Sequence, residues 1–262
     1  MSKLIAESAT AQVKSDLIVA EDLSAGYGGR SVWSGANFSF GRGEFVAILG
    51  PNGAGKTTLF NTISGIYYPN AGQISLFGKD ITRLHPHVRT NIGLARTFQV
   101  TNLYPTLTAI DNIRLGIMGI QRSKYLPHLP VVSLSGVNKR AEELLGLVGF
   151  WDYRNTEVRN LSYGHQRQLE VIMALACKPR VLLLDEPTAG LSQAETKSMV
   201  KLVTSLDPEL TILIIEHDMD VAFEIADEIM VFANGQPLIK GTKEEIQASA
   251  AVHEVYLGNP WV

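Results

Sequence analysis

The run Gly50-Pro51-Asn52-Gly53-Ala54-Gly55-Lys56-Thr57-Thr58 satisfies the phosphate-loop pattern G-x-x-x-x-G-K-[ST]. Glycines let the backbone curl until successive N–H groups point at one anion. The start of a following helix adds partial positive charge. Lys56 is expected to reach the β- and γ-phosphates of a nucleotide, and the Thr57 hydroxyl to hold Mg²⁺. Further along, the apolar run Val181-Leu182-Leu183-Leu184 ends in Asp185-Glu186. Adjacent carboxylates leaving a buried strand are costly unless paired or metal-bound. Asp185 is therefore expected to serve the ion and Glu186 to polarise a water for attack on the γ-phosphate.

Leu161-Ser162-Tyr163-Gly164-His165-Gln166 precedes an apolar helical stripe of Leu169, Ile172, Met173 and Ala176. Taken alone, Ser162 is a helix N-cap. His85 and His87 flank Pro86 without a third ligand, which does not make a metal site.

These residues need positioning elements, and the pattern supplies them. Phe45 to Leu49 reads as the strand before the loop, and Leu59, Ile63 and Ile66 as the stripe of the helix after it. Val181 to Leu184, apolar throughout, reads as a strand buried on both faces. Ser192 with Glu195, and Thr242 with Glu245, form capping boxes, and Asp218 caps a helix carrying Val221, Ala222 and Ile225. Ile229 to Ala233, Asn234-Gly235 and Pro237 to Lys240 read as a tight hairpin. Ala141, Leu144, Leu145 and Val148 form a one-faced helix closed by Gly149, whereas 123–136, with Pro127, Pro130 and Gly136, reads as a loop. Strands alternating with helices imply a mostly parallel α/β sheet, with extra β material near the N-terminus and a helical middle added to it.

Composition narrows the classes. With 262 residues, 45% hydrophobic and 19% charged, the chain is globular rather than disordered. Twenty-three Lys+Arg against 26 Asp+Glu give a net charge of −3, which argues against a nucleic-acid partner held by bulk positive charge. Cys177, alone, excludes an intramolecular disulfide and is expected to be a buried hydrophobe. No run approaches the roughly 18 apolar residues of a spanning helix.

The order of phosphate loop, Ser162/Gly164 element and Asp-Glu strand resembles an ATP-binding-cassette (ABC) ATPase subunit, from about Tyr27 to His217. Leu161 to His165 is similar to that family's Leu-Ser-Gly-Gly-Gln signature, with Tyr163 and His165 as departures. The resemblance implies a phosphate-loop core with an N-terminal antiparallel β subdomain and an inserted helical subdomain. Residues 1–16 would then be a leader and 17–262 a single nucleotide-binding domain, its helical part about 100–178. It further implies that Tyr27 stacks on adenine, and that Gln99 contacts Mg²⁺ and the attacking water. His217 takes the switch-histidine position, and Ser162 and Gly164 face the γ-phosphate of a partner subunit. Ser192 stands where the D-loop usually has Asp.

Gly93-Leu94-Ala95-Arg96-Thr97-Phe98-Gln99, the Leu-Ser-Tyr-Gly element and Glu254-Val255-Tyr256-Leu257-Gly258 resemble ATP-binding subunits of branched-chain amino-acid, urea or amide importers. That likeness implies ATP and Mg²⁺ as ligands and a second ATPase subunit as partner. It also implies membrane permease subunits, an extracytoplasmic solute-binding protein and a peripheral place on the cytoplasmic face of the inner membrane. The alternatives are a lipid or polysaccharide exporter cassette and a soluble ABC ATPase outside transport.

Overall fold

The computed structural model describes residues 16–27, 30–97, 103–120, 134–147 and 149–256. Ten strands form two sheets among these residues. The first is antiparallel, in the order β2-β1-β4-β5: β1 (Asp16–Tyr27), β2 (Arg30–Gly41), β4 (Ala71–Leu76) and β5 (Lys79–Asp80). The second runs β10-β9-β3-β8-β7-β6, built from β3 (Phe45–Leu49), β6 (Leu94–Arg96), β7 (Val181–Asp185), β8 (Thr211–Ile215), β9 (Glu228–Ala233) and β10 (Gln236–Gly241). All its pairings are parallel except β9 with β10.

Both faces of the second sheet are buried, and alternate side chains along each strand serve different cores. Val46 and Ile48 of β3, Val181 and Leu183 of β7, and Leu213 and Ile215 of β8 join a core shared with the first sheet and Leu59, Phe60 and Ile63 of α1 (Lys56–Ser64). Ala47 and Leu49, Leu182 and Leu184, and Ile212 and Ile214 join the opposite core. That core is lined by α3 (Ala109–Ile120), α4 (Ser135–Leu147), α5 (Tyr163–Ala176), α6 (Gln193–Thr204) and α7 (Met219–Ile225). The apolar β7 run is buried at every position, as expected of a two-faced strand. The chain is completed by α2 (Pro86–Asn91), α8 (Lys243–Ala248) and α9 (Ala250–Tyr256).

Two expectations are corrected. The helix after the phosphate loop stops at Ser64, because Gly65 adopts left-handed φ +82°, so Ile66 falls outside its stripe and is exposed. The helix bearing Ala141 starts at Ser135, so Ser135 and Gly136 are helical rather than loop; residues 121–133 lie outside the described residues. Both capping boxes and the Asp218 cap form as expected. Asn234 and Gly235, at φ +49° and +73°, make the β9–β10 turn. Cys177 is half-buried at the end of α5, where burial raises its thiol pKa.

One buried cation fixes the far end of α1. Arg89, fully buried, donates from Nη1 to the carbonyls of Thr62 (2.6 Å) and Ile63 (2.8 Å) and from Nε to Leu84 O (2.9 Å). Desolvation pulls its pKa down to about 10. The helix that starts at the phosphate loop is thereby held at its C-terminus by carbonyl bonds.

Candidate functional site

Strands β3, β8 and β7 lie side by side in parallel, so their C-terminal ends share one edge of the sheet. In open parallel sheets, ligands bind outside that edge. Here the 50–58 loop leaves β3, Asp185 and Glu186 leave β7, and His217 follows β8. They enclose a cavity of about 270 Å³, lined by Asn52 to Thr58, Glu186 and His217. Its wall is completed by Val32.

The loop takes the conformation that its glycines permit. Gly53 and Gly55 have φ of +82° and +100°, and a Cβ on Gly55 would run into the Trp33 ring. Helix α1 starts without a side-chain cap and with no acidic residue in its first turn, so no carboxylate of its own occupies the end of the helix that attracts an anion. Lys56 is buried and turns back on the loop, donating from Nζ to the carbonyls of Gly50 (2.6 Å) and Pro51 (3.2 Å). Desolvation lowers its pKa, opposed by the nearby Glu186 and Asp185.

Asp185 is 1% exposed and pairs through Oδ2 with Arg96 Nη2 at 2.8 Å. Its Oδ1 is buried with no hydrogen-bond partner among the described residues. Burial raises this carboxyl's pKa against the pull of Arg96. An orphaned carboxylate oxygen at the end of β7 and an exposed Thr57 in the cavity wall offer the oxygen chemistry that a hard divalent cation such as Mg²⁺ takes.

Glu186 sits at φ +50°, a left-handed backbone that a non-glycine residue adopts at a cost of about 1 kcal/mol. That turn aims its carboxylate into the cavity, where Oε1 meets His217 Nε2 at 2.7 Å. An ionised carboxylate only accepts, so the shared proton belongs to the imidazole. Beneath them Glu216, 3% exposed, accepts from Thr188 Oγ1 at 2.8 and 2.9 Å. Desolvation pushes its pKa up to about 7.

Ser162 and Gly164 do not line this cavity. Ser162 caps α5 through His165 N, and both residues contact Glu195 of α6. His165, half-buried, packs against Tyr153 and Phe150, at ring-centroid distances of 4.5 and 5.3 Å. Tyr27 ends β1, pairing with Arg30, its side chain outside the described residues; Gln99 also lies outside them. Among the described residues no three His, Cys, Asp or Glu side chains gather into a metal cluster, and no helix is long and apolar enough to cross a membrane.

Sequence reasoning missed Arg96 and Glu216, and it placed Glu195 only in its capping box, not against Ser162 and Gly164. Arg96 stands in the quoted Arg96-Thr97-Phe98-Gln99 run, and Glu216 beside His217, but their partners Asp185 and Thr188 are remote in the chain.

Residues 33–189 match the family model described as ABC transporter. Among curated proteins, the chain is 35% identical over 245 residues to the high-affinity branched-chain amino acid transport ATP-binding protein BraF of Pseudomonas aeruginosa, spanning 90% of this chain and 95% of that one. Among solved structures it superposes on MJ1267, an ATP-binding cassette of an ABC transporter, with TM-score 0.81 and 26% identity over 92% of this chain and 98% of that one. It also matches the dimeric post-hydrolysis state of the cassette MJ0796 bound to ADP and Pi, with TM-score 0.72 and 25% identity over 86% and 98% of the two chains.

Proposed function

Since this chain belongs to the ABC transporter family, we propose that it is the ATP-hydrolysing subunit of a membrane importer for branched-chain or related hydrophobic amino acids. The observation that carries the ATPase part is the meeting of Lys56, Glu186 and His217 in one cavity at the shared edge of β3, β7 and β8. The solute class rests on BraF, whose name assigns it to branched-chain amino-acid transport.

In this reading the N–H groups of the 50–58 loop cradle the β- and γ-phosphates. Lys56 leaves the Gly50 and Pro51 carbonyls to lie between them. Thr57 and Asp185, with Gln99, hold Mg²⁺, which when bound screens the triphosphate charge. Glu186 orients a water and takes its proton, while the His217 N–H holds that carboxylate in line. Tyr27 receives the adenine. Positioning of this kind is worth about 10²–10⁴-fold in rate.

Ser162 and Gly164, away from the phosphate loop of their own chain, are assigned to the ATP of a second cassette. The dimeric MJ0796 structure supports that pairing. ATP then joins the two subunits and hydrolysis releases them, a bistable contact set by the γ-phosphate. Permease subunits and a solute-binding protein complete the importer, with the chain peripheral on the cytoplasmic face of the inner membrane. The unit is the nucleotide-binding domain over 17–262, with the helical part at about 100–178.

Two measurements test this. Glu186→Gln is expected to bind ATP, hydrolyse none and accumulate as an ATP-bound dimer; undiminished hydrolysis would remove Glu186 from the mechanism. Tagged chain purified from detergent-solubilised membranes is expected to bring down permease subunits, whereas nucleic-acid-stimulated ATPase activity without them would point to a soluble machine.

A further inference from the structure

Glu195 stands in the first turn of α6, and its two carboxylate oxygens serve different elements. Oε2 accepts from Ser192 N (3.1 Å) and Ser192 Oγ (2.8 Å), closing the capping box. Helix capping requires no more than this. Oε1 nevertheless reaches across to the start of α5, where Gly164 N and Ser162 Oγ each donate to it at 3.2 Å.

A backbone N–H in the first turn of a helix together with a hydroxyl makes a site for an anion, and here a carboxylate fills it. The fit is close. A Cβ on Gly164 would stand 2.5 Å from Oε1, so only glycine admits the carboxylate. Tyr163, between the two donors, has its hydroxyl on Arg167 Nε at 2.8 Å, and its ring stands 3.4 Å from where a Cβ of Gly190 would sit. The 188–192 turn and the start of α5 thus face each other at Gly190 and Tyr163 and are joined by one carboxylate. Hydrogen bonds, those from Ser192 foremost, hold the Glu195 carboxyl below its usual pKa, so it is an anion at neutral pH.

The donors on Oε1 are the two assigned above to the γ-phosphate of the partner's ATP. Two anions cannot share them. We propose that Glu195 is a positioning residue that occupies the Ser162–Gly164 site within its own subunit and yields it to the partner's γ-phosphate on closure. The release of Oε1 then changes the hold of the same carboxylate on Ser192, so the turn after Glu186 responds to the nucleotide across the interface. This rests on the two-cassette reading and deepens it.

The test uses the full chain in the Glu186→Gln background. Glu195→Gln keeps the shape but replaces a charged acceptor, which makes hydrogen bonds roughly twice as strong, with a neutral one. The doubly substituted chain is expected to dimerise with ATP at least about threefold more tightly than Glu186→Gln alone, by sedimentation across a protein series. ATP binding by the isolated variant certifies its fold. As a second readout, amide hydrogen exchange at Gly164 in the free subunit is expected to speed up in Glu195→Ala. Unchanged or weaker ATP-dependent dimerisation, or unchanged Gly164 exchange, overturns the proposal and reduces Glu195 to a helix cap. If Glu186→Gln alone forms no ATP-dependent dimer, the two-cassette reading itself fails, and this proposal with it.

Discussion

His217 Nε2 lies 2.7 Å from Glu186 Oε1, and this contact ties the second residue after β8 to the residue after β7 at the mouth of the Lys56 cavity. In the proposed reading the Lys56 loop holds the nucleotide without either of them. His217→Ala should therefore lower kcat on the order of 10²-fold or more and leave KM for ATP within a few-fold. Phosphate release measured over a range of ATP checks this. A KM that rises in step with the loss would make His217 a binding residue instead.

The Asp185 carboxylate carries two burdens, the Arg96 ion pair and the orphaned Oδ1. Asp185→Ala should abolish Mg²⁺-dependent hydrolysis. It should also cost about 3 kcal/mol in stability, because it removes the counter-charge of a buried guanidinium that keeps the neutral acceptors Asn61 and Ser64. Asp185→Asn keeps the shape and an acceptor for Arg96, so it should lose hydrolysis at a smaller cost in stability. Denaturant melts alongside ATPase assays separate the two roles.

At the other end of α1, Arg89→Ala should destabilise the chain by about 3 kcal/mol or more, because the carbonyls of Thr62, Ile63 and Leu84 lose their donors inside the protein. Arg89→Lys should recover only part of this, since one ammonium cannot reproduce the planar fork. Urea titration reads both values.

Glu216 gives stability a pH slope of known sign. Its folded pKa of about 7 lies above the ordinary 4.5, so between these values the folded chain keeps a proton that the unfolded chain has released. Stability therefore falls as pH rises through this window, by at most about 3 kcal/mol, and the loss is complete above pH 7. Glu216→Gln retains an acceptor for Thr188 and removes the titration. The stability gained by the variant should be small at pH 5 and grow toward pH 7.5. A difference that stays flat would show that Glu216 is ionised throughout.

What the sequence made legible was local. The phosphate loop, the capping boxes at Ser192 and Thr242 and the Asn234-Gly235 turn each lie within a few residues, where side-chain type decides backbone shape. Ile66 escaped its expected stripe because periodicity does not register Gly65, one residue that ends the helix in a left-handed turn. The ion pair of Arg96 with Asp185, the Glu216–Thr188 bond and the reach of Glu195 to Gly164 all join segments that only the folded sheet brings together. No window along the chain contains both halves of such pairs.

The place of β3 in its sheet has a consequence for synthesis. It is hydrogen-bonded on one side to β8, from Phe45 opposite Ile212, and on the other to β9, from Val46 opposite Glu228. The strand that presents the nucleotide loop thus leaves the ribosome long before either of its neighbours exists. A nascent chain halted before about residue 233 leaves β3 without one of its two neighbours, so the edge of the sheet that carries the 50–58 loop is complete only once β9 has been made.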